Sequence, residues 1–232
     1  MLFIIGLVFG SFFAALTYRY PKRISNFSGR SFCDNCKKQI AWHDNIPLLS
    51  FLLLGGKCRK CRTKISPRYP LIELATGIGF VLIGWNLCYL ALFGTLLSIF
   101  IIDFEHQIIP DDFVFAGILF ALLLPNFSFF NNLLAGFLTA SFLVLIHIVT
   151  KGRGMGLGDV KFAVLGGAII GLALSPIWML LAFLTGAAAG IILILSKKAG
   201  LKSKIAFGPF LVASIPITLL YGDMLIKFIG LR

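Results

Sequence analysis

Residues 71–102 read LIELATGIGFVLIGWNLCYLALFGTLLSIFII, 32 positions in which Glu73 is the single charged side chain. As one helix this stretch would extend about 48 Å, against a hydrocarbon core of about 30 Å. Gly84, Trp85 and Asn86 interrupt its apolar character, and a break there divides it into two short spans. Whether the run crosses once or twice decides the side of the membrane on which everything after it lies.

Other apolar blocks run at 2–18, 112–125, 131–149, 160–195 and 205–222. The block 160–195 holds 36 positions, again too many for one crossing. Ser175-Pro176 offers a break, because proline disfavours helix at the residue before it. Eight spans result. Composition points the same way. With 59% hydrophobic and 13% charged residues and a mean hydropathy of +0.97, 232 residues hold too little polar surface for a soluble domain.

Charge orients the spans. No basic residue precedes the first apolar stretch, and Arg19, Lys22 and Arg23 follow it. A secretory signal has the opposite order. The charges hold the C-terminal end of the first helix in the cytoplasm and put the N-terminus outside. With eight spans, the inner segments 19–70, 103–111, 150–161 and 196–204 carry 19 of the 21 Lys and Arg, and Lys227 and Arg232 lie in the tail. An unbroken 71–102 would put Lys151, Arg153 and Lys161 outside, against the positive-inside bias. The net charge of +12 therefore reads as loop bias in a protein surrounded by membrane lipids. No aromatic-interleaved basic platform for nucleic acid stands outside the spans.

Segment 19–70 contains Cys33-Asp34-Asn35-Cys36 and Cys58-Arg59-Lys60-Cys61, with 21 residues between the pairs. Each pair is followed by isoleucine, at Ile40 and Ile65, so the module is a weak repeat at an offset of 25 residues. Two such knuckles supply four thiolates, which suits tetrahedral zinc. Lys37, Lys57, Arg59, Lys60 and Arg62 stand beside them and favour the thiolate form. The alternative is a pair of disulfides or a redox pair, which a cytoplasmic position disfavours. Four thiolates leave no open position for water, so the metal is structural rather than catalytic. Some fifty residues bury too little to be stable without such a staple. Cys88, inside an apolar run, reads as packing. The expected architecture is thus an all-α polytopic membrane protein of about eight transmembrane helices with a small cytoplasmic four-cysteine zinc module. Residues 1–18 form the first transmembrane helix, 19–70 the module and 71–232 the transmembrane core.

Nine carboxylates remain to be placed. Asp34 and Asp44 belong to the module and Asp223 lies near the C-terminus, whereas Glu73, Asp103, Glu105, Asp111, Asp112 and Asp159 fall at or near span ends. A charge at mid-bilayer depth costs about 2.5–3.5 kcal/mol, so an acid near a span invites a functional reading. Asp103 ends its apolar run, where a solvated helix end is the plain alternative. Asp111, after Pro110, reads as an N-cap, and His106 as an interfacial polar residue more readily than a proton carrier. Asp159 closes Gly152-Arg153-Gly154-Met155-Gly156-Leu157-Gly158-Asp159, which reads equally as a flexible loop with an N-cap or as a close-packed functional turn. No phosphate-loop pattern accompanies it. Asp103 and Asp159 share the cytoplasmic border, although spacing alone does not show that they meet. If they meet, one is protonated and one ionised, an arrangement that activates water and protonates a carbonyl or a leaving amine. His43 and His147 have no evident nucleophile beside them.

A set of segments then falls in a telling order. It runs from Gly10-Ser11-Phe12 and Tyr18-Arg19-Tyr20-Pro21 through the cysteine pairs with Asp44-Asn45-Ile46-Pro47-Leu48-Leu49-Ser50 between them. Ser66-Pro67-Arg68-Tyr69-Pro70-Leu71-Ile72-Glu73-Leu74, Asp103 to Asp111, Gly156-Leu157-Gly158-Asp159 and Phe207-Gly208-Pro209-Phe210 follow. In order and spacing the chain resembles the type IV prepilin peptidases, the bifunctional leader peptidases and N-methyltransferases of pilus and type II secretion systems. The resemblance implies that Asp103 and Asp159 are the catalytic aspartates of a peptidase core and that Cys33, Cys36, Cys58 and Cys61 hold zinc. It implies a bacterial cytoplasmic membrane enzyme whose active site faces the cytoplasm. The implied substrates are prepilins or pseudopilins, cut after a glycine that ends a short basic leader. The new N-terminal residue, usually Phe, would be methylated from S-adenosylmethionine. Ala14 stands where the family often has Asn, and Ala206 where it often has Pro.

The module lacks the glycine-rich turn of a Rossmann-type cofactor domain, so S-adenosylmethionine is expected between the module and the helix ends. Glu73 is a candidate contact there, and its plain alternative is an acid favoured by the helix dipole. Two competing readings are a peptidase without methyl transfer and a transporter or scaffold whose zinc module docks a partner. The second would place paired charges mid-span, whereas these acids cluster at span ends.

Overall fold

The computed structural model describes residues 1–23, 31–198, 200 and 205–229. Parts of two expected inner segments (24–30, 199 and 201–204) and Arg232 of the tail lie outside the described residues. Among those described there are nine α-helices and no named strand: α1 (Leu2–Arg19), α2 (Leu49–Leu53), α3 (Arg68–Ile83), α4 (Leu87–His106), α5 (Asp111–Leu122), α6 (Phe129–Val149), α7 (Leu157–Ile170), α8 (Ser175–Leu195) and α9 (Gly208–Ile229). α1 with the 3-10 turn that follows it, α4, α6, α8 and α9 are long and apolar enough to cross a membrane. The chain is a multi-pass membrane protein. α3, α5 and α7 have 16, 12 and 14 residues and rise only about 24, 18 and 21 Å.

The long run at 71–102 does break. α3 stops at Ile83, Gly84 takes φ 80°, and Asn86 Oδ1 accepts the Tyr89 N–H at 3.2 Å as α4 begins. The second break falls earlier than the proline suggested. α7 ends at Ile170, Gly171 turns at φ 80°, and Pro176 stands in the first turn of α8. Proline lacks only an N–H that this first turn leaves unpaired anyway, so it opens the helix instead of ending one.

The chain divides into two compact units, Met1–Gly94 and Thr95–Arg232, and α4 runs across the boundary. In the first unit α1 and α3 pair antiparallel at close range. Gly10 makes this possible, because a β-carbon there would lie 2.6 Å from Glu73 Cα. Arg68 locks the pair, donating from Nη1 to the Ala14 carbonyl at 2.9 Å and from Nη2 to Thr17 Oγ1 at 2.7 Å. Ala14 is buried, and its carbonyl is taken up by this contact.

In the second unit α7 is the centre. Phe162, Ala163 and Leu165 have no exposed surface, as expected of a helix that is apolar all round and packed on every side. α6 lies antiparallel against it. Thr139 Oγ1 donates to the Ala163 carbonyl at 2.9 Å and Asn132 Nδ2 to that of Ala168 at 2.7 Å. A β-carbon on Gly167 would lie 2.7 Å from Gly136 Cα. Helices in lipid gain little from burying apolar surface, so such small-residue contacts and interhelical hydrogen bonds hold them. Trp178 fills the space beside Gly166 and donates its Nε1–H to the Leu211 carbonyl at 2.9 Å, tying α8 to α9.

Candidate active site and cysteine module

The weak sequence repeat is a structural repeat. In the first knuckle the Cys33 N–H bonds the Lys38 carbonyl and the Lys37 N–H bonds that of Cys33, at 3.0 and 2.8 Å. In the second, Cys58 and Thr63, and Arg62 and Cys58, do the same at 2.9 and 3.0 Å. Lys37 and Arg62 take φ of 56° and 58° at matching positions, and isolated bridges pair Phe32 with Gln39 and Lys57 with Lys64. The two turns aim their sulfurs at one point. The four Sγ atoms lie within 4.8 Å of one another, and Cys33 and Cys61 are 3.7 Å apart. A tetrahedron of Zn–S bonds near 2.3 Å has edges of about 3.8 Å, so the set fits a zinc ion.

Sulfurs this close compete for protons. Hydrogen bonds from the Thr63 hydroxyl and backbone draw Cys61 down to about 5. The Cys36 N–H works against the opposite trend at Cys33, but burial and the thiols of Cys58 and Cys61 outweigh it and push Cys33 up to about 11. The thiolate at Cys61 is thus favoured by Thr63. Arg59 is engaged elsewhere. Its Nη2 and Nε reach Asp44 at 2.7 and 2.9 Å and hold that carboxyl below the usual carboxylate range. The contact ties the 3-10 turn Trp42–Asn45 to the second knuckle.

Between the module and the ends of α1 and α3 lies a cavity of about 720 Å³, whose walls include Ser11, Tyr18, Trp42, Asp44, Tyr69 and Glu73. Ala15 lines it and Ala14 does not. Glu73 is buried. Its Oε2 accepts the Leu48 N–H at 2.9 Å, across 25 residues of chain, and pins Leu48 at φ 57°, a conformation costly for a branched side chain.

In the second unit, Asp103 lies in the last turns of α4 and is 5% exposed. Its carbonyl accepts the Gln107 N–H at 2.9 Å, and Gln107 ends the helix at φ 56°. Oδ2 of Asp103 is buried with no hydrogen-bond partner among the described residues. The first residue of α9, Gly208, faces this carboxyl with its N–H. Asp159 is the third residue of α7 and not its N-cap. Gly156 holds the cap position, and its N–H donates to Asp159 Oδ2 at 3.2 Å, half of a capping box whose other half glycine cannot supply. Asp103 and Asp159 are within Coulombic reach of each other. Asp111 is likewise no N-cap. Pro110 caps α5, and Asp111 Oδ1 takes the Lys161 ammonium at 2.7 Å.

Comparison with known proteins identifies the family. Residues 4–87 match the bacterial peptidase A24 N-terminal domain and residues 90–191 the type IV leader peptidase family. The chain is 32% identical to the prepilin leader peptidase/N-methyltransferase of Pseudomonas aeruginosa over 97% of its own length and 90% of the relative's. It is 38% identical to the protein of that name from Klebsiella pneumoniae, covering 78% and 89% of the two chains. The chain belongs to the type IV leader peptidase family. A third relative, at 33% identity over 89% of the chain and 87% of its own, is the type 4 prepilin-like proteins leader peptide-processing enzyme of Escherichia coli. No solved structure matches the chain.

For a leader peptidase, two residues at this site escape sequence reasoning. Gly208 stands only inside a tetrapeptide, with nothing to say that it faces an acid 105 positions earlier. Ile109 is buried and packs against both remaining site segments. A β-carbon on Gly158 would meet its Cβ at 3.3 Å, and one on Gly208 its Cδ1 at 3.1 Å. Phe104, Ile108 and Pro110 are apolar too, so nothing in the motif singles Ile109 out.

Proposed function

We propose that this leader peptidase cleaves type IV prepilins or pseudopilins with Asp103 and Asp159 at the cytoplasmic face of the bacterial inner membrane, and then methylates the new N-terminus. The observation that carries the peptidase assignment is the convergence of the two acid-bearing segments, Ile109 packing against both Gly158 beside Asp159 and Gly208 beside Asp103, with Asp103 Oδ2 buried and unpartnered among the described residues. A buried acceptor left alone costs about 1–3 kcal/mol, a cost removed when the pair shares a proton. Adjacent carboxyls do not both ionise cheaply. The ionised member takes a proton from water as it attacks the scissile carbonyl, and the protonated member delivers one to the departing amine. The pair then titrates as a unit, and neither role belongs to one residue alone.

Methyl transfer has its place in the first unit. The cavity volume falls in the usual range for ligand pockets. The Trp42 ring and the acids Asp44 and Glu73 suit a ligand that carries a sulfonium and an ammonium. S-adenosylmethionine supplies an electrophilic methyl group. Glu73 would hold its cationic end, and Trp42 would pack against its flat part. Zinc held by Cys33, Cys36, Cys58 and Cys61 would keep the two knuckles that wall this cavity in place and would leave no open position for catalysis. In this reading residues 1–18 cross the membrane outward to inward, 19–70 form the cytoplasmic module and 71–232 the peptidase core. All eight long helices cross, and α3, α5 and α7 do so in thinned bilayer or shielded by their neighbours.

The test is cleavage of a membrane-inserted prepilin by wild type, Asp103→Asn and Asp159→Asn, read by product mass. Cleavage by wild type alone is expected, with product heavier by one methyl group when S-adenosylmethionine is present. Cleavage by both variants would overturn the aspartyl mechanism, and an unmethylated product would leave a peptidase without the second activity.

A further inference from the structure

We propose that His147 is a positioning residue for the Asp159 carboxylate, acting through the peptide group that joins Met155 to Gly156. The proposal rests on the reading of Asp159 as one of two catalytic aspartates. His147 lies in the last turn of α6, and its Nδ1 is 2.7 Å from the Met155 carbonyl oxygen. A carbonyl can only accept, so Nδ1 carries the proton and donates it. The N–H of that same peptide group is the Gly156 N–H, which donates to Asp159 Oδ2 at 3.2 Å.

In a trans peptide the carbonyl and the N–H point in opposite directions from one rigid plane. A donor that grips the oxygen therefore fixes where the N–H points. It also draws electron density toward the oxygen, which makes the N–H a stronger donor, as in any hydrogen-bonded chain. The imidazole thus sets the orientation of the one backbone donor that Asp159 has among the described residues, without touching the carboxylate itself.

The turn between α6 and α7 is built around this contact. The Gly152 N–H bonds the His147 carbonyl at 2.8 Å. Gly152 takes φ 74° with its α-carbon against the ring, where a β-carbon would come within 3.2 Å of Cε1. Thr150 Oγ1 accepts the Gly154 N–H at 3.0 Å, and Met155 is buried at 5% exposure. These three contacts and the burial of Met155 deliver the Met155–Gly156 peptide to one place. A histidine that served only as an interfacial polar group or a favourable charge at a helix end would need none of them.

The experiment uses the full chain in detergent with a membrane-inserted prepilin, comparing wild type, His147→Phe, His147→Asn and Asp159→Asn for kcat, KM and melting temperature. Phenylalanine keeps a ring and removes the donor, and asparagine offers an N–H at about the reach of Nδ1. His147→Phe is expected to lower kcat roughly tenfold with KM unchanged, and His147→Asn to recover most of it. Both variants matching wild type would overturn the proposal. So would equal losses in both that track the melting temperature, since that is what a merely structural residue gives. Cleavage persisting in Asp159→Asn would instead strike the aspartyl mechanism, and His147 would lose its role with it.

Discussion

Gly208 stands so close to Asp103 that a β-carbon on it would lie 2.5 Å from Oδ2 and 3.0 Å from Cγ of the carboxyl group. The last helix therefore begins at the acid itself, and glycine is required there by space. Ile99 and Ile102, on the same stretch of α4, have no exposed surface, so Asp103 has little freedom to retreat.

Gly208→Ala is accordingly expected to displace the carboxyl at an overpacking cost of about 1–3 kcal/mol. If half of that falls on the transition state, cleavage slows roughly two- to twelvefold. Single-turnover cleavage of a prepilin measures this, with methylation of a pre-cut peptide as a control for folding. Unchanged cleavage in the alanine variant would mean that the carboxyl has room the geometry denies.

Removing the metal should separate the two activities. The knuckles belong to the first unit and the aspartates to the second, so a strong chelator, or Cys58→Ser, is expected to abolish methyl transfer while a substantial part of cleavage remains. Metal analysis of the purified chain should return one zinc per molecule. Equal loss of both activities would show that the module also serves the peptidase.

Glu73 does two things that substitutions can part. Glu73→Gln keeps an oxygen for the Leu48 N–H and removes the charge. It should hold the melting temperature and raise the S-adenosylmethionine concentration needed for methylation. Glu73→Ala orphans that N–H at a cost of about 1–3 kcal/mol and should lower the melting temperature as well. Identical behaviour of the two variants would leave Glu73 a purely structural acid.

Gly167→Val tests the packing that carries Asp159. A β-carbon there meets the Ala135 carbonyl oxygen and Gly136 Cα at 2.7 Å each, and backbone atoms cannot swing aside. α6 and α7 must part, and the Thr139 bond to Ala163 goes with them. A loss of about 2 kcal/mol or more is expected, measured as a lower melting temperature in detergent together with reduced cleavage.

Much of this architecture is legible in the amino-acid sequence. A run of 32 residues with one charge exceeds a single crossing by simple length, and Gly84 is visible as the place to bend. Two Cys-x-x-Cys pairs announce four thiolates because a tight turn puts the two sulfurs of each pair on one side. Pro176 misplaces the second break because proline's effect depends on its position. Inside a helix it interrupts, and in the first turn it costs nothing, a difference set by the four residues before it. Asp111 reads as an N-cap, and Asp159 as readily so as a functional residue, for a similar reason, since a polar residue within three positions of a helix start leaves the same trace whether it caps or stands inside.

The sequence by itself determined membrane residence, the first break near Gly84 and the set of four cysteines, because each rests on composition or on spacing within a few turns. Only the tertiary structure decided that Ile109 packs between Gly158 and Gly208, that Gly208 closes on Asp103, and that His147 grips the peptide donating to Asp159. The longest of those contacts joins residues 105 positions apart, and the 8-residue contact between His147 and Met155 depends on a turn wound by glycines and a threonine. Hydrophobicity reports how deep a helix sits. Which face it turns to its neighbours is set by close packing of small residues, and that packing is a property of pairs of helices that no single segment carries.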